Sequence, residues 1–135
     1  AEKIGSERVF SLAIRSGDAE EWAWAVEHLV FRPFVFRDAI EELADRLAQC
    51  PVYLTLDIDA FDPSFAPGTG TPEPGGIMPQ EFYAGVERLY RAGVRLVGAD
   101  LVEVSPAYDT GITAVLAAKA VRELLFLFSP GEGRP

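Results

Sequence analysis

Four short apolar runs alternate along this chain with four segments of helical apolar spacing, and no other feature restricts its fold as much. Residues 8–14 form a compact apolar run that ends at Arg15-Ser16-Gly17, and they predict a buried strand. Asp18 followed by Glu21 fits a capping box and opens a helix to about Leu29, with Trp22, Trp24 and Val26 expected to pack into the core. Residues 30–36 are strand-like but carry Pro33, which predicts a short or edge strand. Asp38 and Glu41 fit a second capping box. Behind them Ile40, Leu43, Ala44, Leu47 and Ala48 recur at helical spacing as far as Cys50, and Pro51 stops that helix.

Residues 52–59 give the clearest strand signal, Val-Tyr-Leu-Thr-Leu-Asp-Ile-Asp. Pro79 suits the first turn of a helix carrying Phe82, Val86, Leu89 and Tyr90. Residues 94–104 predict a fourth strand, and the almost wholly apolar residues 113–128 predict a heavily buried helix. Strands that alternate with helices argue for an α/β fold: a three-layer parallel sheet with helices on both faces. Ligands of such sheets sit beyond the carboxyl ends of the strands. Asp57, Asp59 and Glu103 all fall there.

On a strand, side chains two apart share a face, so Asp57 and Asp59 are expected to aim at one place. Anions held that close repel unless a cation lies between them. Oxygen-rich sites select Mg, Ca or Mn, and two metals roughly 3.5–4 Å apart can share a carboxylate and activate water at neutral pH. Residues 60–78 follow as a long loop rich in proline and glycine, a length that is usually functional inside a compact domain. An Asp-x-Asp closing a strand also opens the haloacid-dehalogenase-like phosphotransferases. Those enzymes place Thr or Val two positions after the second aspartate and a lysine later. Here Phe61 occupies that position and the only later lysine is Lys119, inside an apolar helix.

The wider run Asp57-Ile58-Asp59-Ala60-Phe61-Asp62-Pro63, continuing through Gly68-Thr69-Gly70-Thr71-Pro72 to Gly75-Gly76, closely resembles the ureohydrolase signature of arginases and agmatinases. Asp100-Leu101-Val102-Glu103-Val104-Ser105-Pro106 is similar to a later segment of that family. The resemblance spans essentially the whole chain, and Pro-Glu-Pro before Gly75 looks more like agmatinases than arginases. It implies an arginase-like fold and a manganese-dependent hydrolase that cleaves a guanidino group to urea and an amine. Asp57 would bridge two Mn²⁺ ions, and Asp59 would bind one of them and serve catalysis. Glu103 would bind the substrate guanidinium. Asp62, Thr69 and Thr71 are expected to hold the loop, Asp100 to orient a ligand, and Glu73 to be a solvated charge.

The family's earlier histidine ligands have no counterpart here. The only histidine, His28, lies on an amphipathic helix far from the aspartates and reads as a surface residue. The chain therefore resembles one partial domain over 1–135, the C-terminal half of a ureohydrolase, inactive alone. A non-catalytic subunit that has lost those ligands is the alternative. The missing initiator Met leads to the same expectation of a chain that begins within a longer protein or has been processed. Cutting a parallel sheet exposes an edge and apolar helix faces, so association is expected, with the other half as a partner chain or with further copies as a homo-oligomer. At 135 residues, 49% hydrophobic, there is material for one core. No apolar run approaches a membrane span, the first residues lack a signal-peptide pattern, and one cysteine suits a cytoplasmic protein. A net charge of −9 with no basic cluster argues against nucleic acid.

Overall fold

The computed structural model describes residues 3–129. Strand β1 (Phe10–Leu12) leads to helix α1 (Ala19–His28), then strand β2 (Val30–Arg32) and helix α2 (Arg37–Leu47). Strand β3 (Val52–Asp57) is followed by a 3₁₀ turn, Ile58–Ala60, and the long loop. Helix α3 (Pro79–Arg91), strand β4 (Leu96–Val102) and helix α4 (Ile112–Leu125) complete the order. Every strand pair is parallel, as the alternation requires, and the strands fall into two separate pairs. Phe10, Ser11 and Leu12 lie beside Val30, Phe31 and Arg32. Residues 53–57 of β3 lie beside 98–102 of β4, after a register shift at Val52/Tyr53.

Helix α2 buries Ala39, Ile40, Leu43, Ala44 and Leu47, the stripe that its spacing predicted. Against it α3 buries Phe82, Gly85, Val86 and Leu89. Gly85 leaves no room for a Cβ, which would run into the Phe36 ring. That ring stacks on Phe82 at 5.6 Å, and Phe82 meets Phe61 edge-on at 5.3 Å. The aromatic cluster thereby joins the helix layer to the start of the long loop. Arg88 adds surface ion pairs from α3 to Glu41 (3.1 Å) and Asp45 (2.8 Å) of α2.

Three expectations need correction. Asp38 does not cap α2: the helix starts at Arg37 with Phe36 at its N-cap and no side-chain cap bond, so the Phe36 ring packing sets the start. On α1 only Trp22 packs inward, against Phe31 and Phe34, while Trp24 and Val26 are exposed. Helix α4 is not buried all round. Its inner face is Thr113, Ala117, Ala120, Glu123 and Leu124, whereas Ile112, Val115, Val121 and Leu125 face out. Among the described residues, the two faces of the β3–β4 pair are buried unequally. Leu56 points into the core, but Tyr53, Thr55 and Val102 on the other face are exposed. Parallel strands are ordinarily covered on both sides.

Candidate active site

Strand β3 ends at Asp57, and the chain turns at once. The Asp57 carboxylate accepts the Asp59 backbone N–H at 3.0 Å and caps the 3₁₀ turn Ile58–Ala60. Asp59 therefore does not lie on the strand, and the expected same-face alternation is not what relates the two carboxylates. A short acidic side chain that bonds backbone two residues on competes with the strand ladder and ends it. The Asp59 carboxylate then accepts the Thr71 hydroxyl at 3.2 Å. Thr71 was expected only to hold the loop, and it does so through the second aspartate.

Burial is the main influence on Asp57, and it pushes the carboxyl above its ordinary value. The Asp59 N–H opposes that shift, the charges of Asp59 and Glu103 add to it, and the Arg15 guanidinium opposes it. A half-buried carboxylate among like charges is stabilised by a cation at its open side. Glu103 arrives from the neighbouring strand as the first residue after β4. It holds a left-handed backbone (φ 64°) that non-glycine residues adopt at a cost of about 1–2 kcal/mol. Its Oε2 lies 3.8 Å from where a Cβ on Gly70 would stand, so the loop approaches this carboxylate where it lacks a side chain.

The long loop is closed on itself. Phe61 and Ile77 form a parallel bridge, with the Ile77 amide donating to the Ala60 carbonyl (2.9 Å) and the Asp62 amide to the Ile77 carbonyl (3.1 Å). Asp62 staples the interior by accepting from the Ser64 amide (2.9 Å), the Ser64 hydroxyl (2.5 Å) and the Gly75 amide (2.8 Å). The Ser64 bonds are the chief reason that its carboxyl is pulled down to about 2. At the far side the Gly68 amide donates to Thr113 Oγ1 (2.8 Å), which in turn donates to Asp109 (2.7 Å) at the start of α4. Asp62 behaves as the structural turn residue expected of it, and Thr69 is buried in the loop.

Asp100, expected to orient a ligand, is held by hydroxyl groups of β3. Its two oxygens take the Tyr53 hydroxyl (2.7 Å) and the Thr55 hydroxyl (2.6 Å) on the exposed sheet face, because Thr55 is its register partner. His28 is exposed, and its Nδ1–H donates to the Trp24 carbonyl (2.9 Å). Arg15 is the residue that sequence reasoning missed. It follows β1 at that strand's carboxyl end and bonds to backbone carbonyls around the turn and the loop. A lone arginine closing an apolar run, at the end where ligands bind, was the available signal.

Two hard carboxylate oxygen donors fit one side of a site for a hard divalent cation. Among the described residues, no group of three or more His, Cys, Asp or Glu could hold such an ion. Asp57 and Asp59 could supply only part of such a ligand set.

This geometry has known counterparts. The model of the arginase family matches residues 1–127. The chain belongs to the arginase family. It is 46% identical over 130 residues to the agmatinase of Bacillus subtilis (strain 168), covering 95% of this chain and 45% of that protein. The crystal structure of arginase from Bacillus subtilis matches with a TM-score of 0.83 at 36% identity, over 93% of this chain and 46% of that one. The agmatine ureohydrolase of Thermoplasma volcanium matches with a TM-score of 0.79 at 32% identity, over 96% and 45%. This arginase-family chain therefore spans about half the length of the relatives it matches. The parallel strands with outer helices are the arginase-like architecture.

Proposed function

We propose that this chain contributes the Asp57–Asp59–Glu103 side of a manganese ureohydrolase site that converts a linear guanidino compound, agmatine in the first instance, to urea and an amine. The observation that carries the reading is the convergence of the three carboxylates at the carboxyl ends of two adjacent parallel strands. Asp57 and Asp59 would hold Mn²⁺, with further ligands from a segment outside this chain. When bound, a metal pair lowers the pKa of water so that a nucleophile is available at neutral pH.

The remaining work belongs to the side chains. Glu103, exposed and just past Val102, the register partner of Asp57, would accept charge-assisted hydrogen bonds from the guanidinium and fix its plane. That orientation presents the central carbon to the attacking water and replaces an encounter with a held geometry. Water oxygen joins the carbon, the carbon–nitrogen bond to the tail breaks, and the leaving nitrogen takes up a proton to depart as an amine. Asp59 is kept in place by Thr71 Oγ1. Agmatine is favoured over arginine by the likeness to agmatinase, since the guanidinium is common to both substrates.

The test pairs this chain with the N-terminal part of the Bacillus subtilis agmatinase and follows urea release with Mn²⁺ present. Activity that disappears with both Asp59→Ala and Glu103→Ala is the expected result. Loss with Asp59→Ala alone would remove the guanidinium assignment from Glu103. A paired, folded assembly that binds no metal and releases no urea would favour the non-catalytic subunit instead.

A further inference from the structure

Three features lie outside the chemistry described so far. A groove of about 330 Å³ beside Lys119 is lined by Phe65, Tyr83, Ile112, Val115 and Leu116, but it is an apolar face with nothing to identify its occupant. Asp100 borders a small, mostly apolar cavity with Val121, Leu125 and Phe128, but its carboxylate is already satisfied by Tyr53 and Thr55. Arg15 is different. Its guanidinium reaches across from β1 and ties together two segments that are remote in sequence.

Arg15 Nη2 donates to the Asp59 carbonyl (2.5 Å) and to the Glu73 carbonyl (3.1 Å), while Nη1 donates to the Ala60 carbonyl (3.3 Å). These acceptors sit in the 3₁₀ turn and in the outer limb of the long loop, the two limbs that bring Asp59 and Thr71 together. The hydrogen bonds of the guanidinium run to backbone carbonyls. Its Nε is buried with no acceptor among the described residues. An unfilled buried donor ordinarily costs about 1–3 kcal/mol. The side chain is thus placed for its fork to span the three carbonyls at the expense of its own full satisfaction.

We infer that Arg15 is a positioning residue: its planar fork fixes the backbone of the Asp57–Asp59 turn against the loop at Glu73, and so sets where the Asp59 carboxylate points. Lysine cannot reproduce this. An ammonium on a flexible stem supplies the charge without the paired, coplanar donors. The two properties of Arg15 therefore separate in the variants Arg15→Lys, which keeps charge, and Arg15→Met, which keeps only the stem.

The test is amide hydrogen exchange by NMR on the 135-residue chain, followed by Mn²⁺ titration of the same samples. In Arg15→Met the Asp59 and Phe61 amides, bonded to Asp57 Oδ1 and the Ile58 carbonyl, should exchange about tenfold faster, with β3 ladder amides unchanged. Arg15→Lys should recover less than half of that protection. The Mn²⁺ concentration giving half-maximal paramagnetic broadening at Asp57–Asp59 should rise about tenfold in both variants, as for lost partners behind metal ligands. Arg88→Met, which breaks ion pairs far from the turn, controls for general loss of stability and should not pick out Asp59 and Phe61.

Uniform acceleration across the chain, unchanged exchange at Asp59 and Phe61, full rescue by lysine, or an unaltered Mn²⁺ midpoint would each overturn the inference. The Mn²⁺ arm rests on the ureohydrolase reading and the exchange arm does not. No broadening of the wild-type turn would sink the metal reading instead, and the exchange pattern then decides for or against Arg15.

Discussion

A methyl group at residue 76 would stand 2.5 Å from the Phe61 carbonyl carbon and 2.7 Å from the Ala60 carbonyl oxygen, all of it backbone that cannot swing away. Gly76→Ala should therefore cost about 1–3 kcal/mol, as overpacked sites do, read as a lowered urea midpoint. Its neighbour Gly75 has a positive φ of 87° with nothing within 4 Å. Gly75→Ala should cost only the left-handed strain of about 1–2 kcal/mol and leave the bridge at Phe61 and Ile77 intact. The two variants look alike in sequence, and NMR shifts at Asp62 should tell them apart. Asp62 itself gives a pH signature. Its carboxyl is lowered from the usual 3.8 to about 2, so its stabilisation is complete above 3.8 and lost as pH falls through 2. The gap in urea midpoint between wild type and Asp62→Ala should stay constant above about pH 5 and close on acidification toward 2. A gap that persists at pH 2 would mean the ionised Asp62 is not what holds the loop.

At the scale of elements, the two capping boxes that look equivalent in sequence are not equivalent in the fold. Asp18 accepts from the Glu20 and Glu21 amides while Glu21 reaches back to the Asp18 amide, whereas Asp38 lies inside the first turn of α2. Asp18→Ala should lose about 1 kcal/mol and Asp38→Ala only a few tenths, measured by chemical denaturation. Local chemistry was legible where the determinant is local: the Asp18 cap, Pro79 opening α3, the apolar stripe of α2, and the loop between β3 and α3. The start of α2 was not, because an aromatic ring packed on Phe82 fixes it and no spacing within the helix records that. The same holds for the site. Asp57, Asp59 and Glu103 stand out as carboxylates ending strands, but the turn that separates Asp57 from Asp59 depends on one side chain preferring an amide to a ladder. Arg15 was hidden for a plainer reason: its acceptors are carbonyls 44 to 58 residues away, and every residue has a carbonyl.

For the whole molecule, the surface records what the fold leaves uncovered. Val115 is 72% exposed and Leu125 60%, on a helix whose opposite face is fully packed. Across the sheet Tyr53 is exposed as well, and the outer edges of β3 and β4 have no further strand among the described residues. Exposed apolar faces and open edges drive association. Sedimentation velocity should show weight-average mass rising with concentration. Val115→Ser with Leu125→Ser should reduce that rise while changing stability by no more than about 0.5 kcal/mol each, since neither side chain is in the core. Mass that stays monomeric across the range would contradict this. Pairing with the N-terminal part of a relative should suppress self-association as well, by covering the exposed sheet face.

The Phe61–Ile77 bridge has a consequence for how such a chain can diversify. Because the excursion leaves and rejoins the fold at one point, its contour length is decoupled from the placement of β3 and α3. The inner limb is anchored, with Ala66, Gly68 and Thr69 buried, but Gly70–Pro72 and Pro74–Gly75 are exposed. Closing a somewhat longer loop adds little entropy, about 0.6 kcal/mol for each doubling. Insertions in the outer limb can therefore accumulate while the bridge keeps the Asp57–Asp59 turn in register with α3.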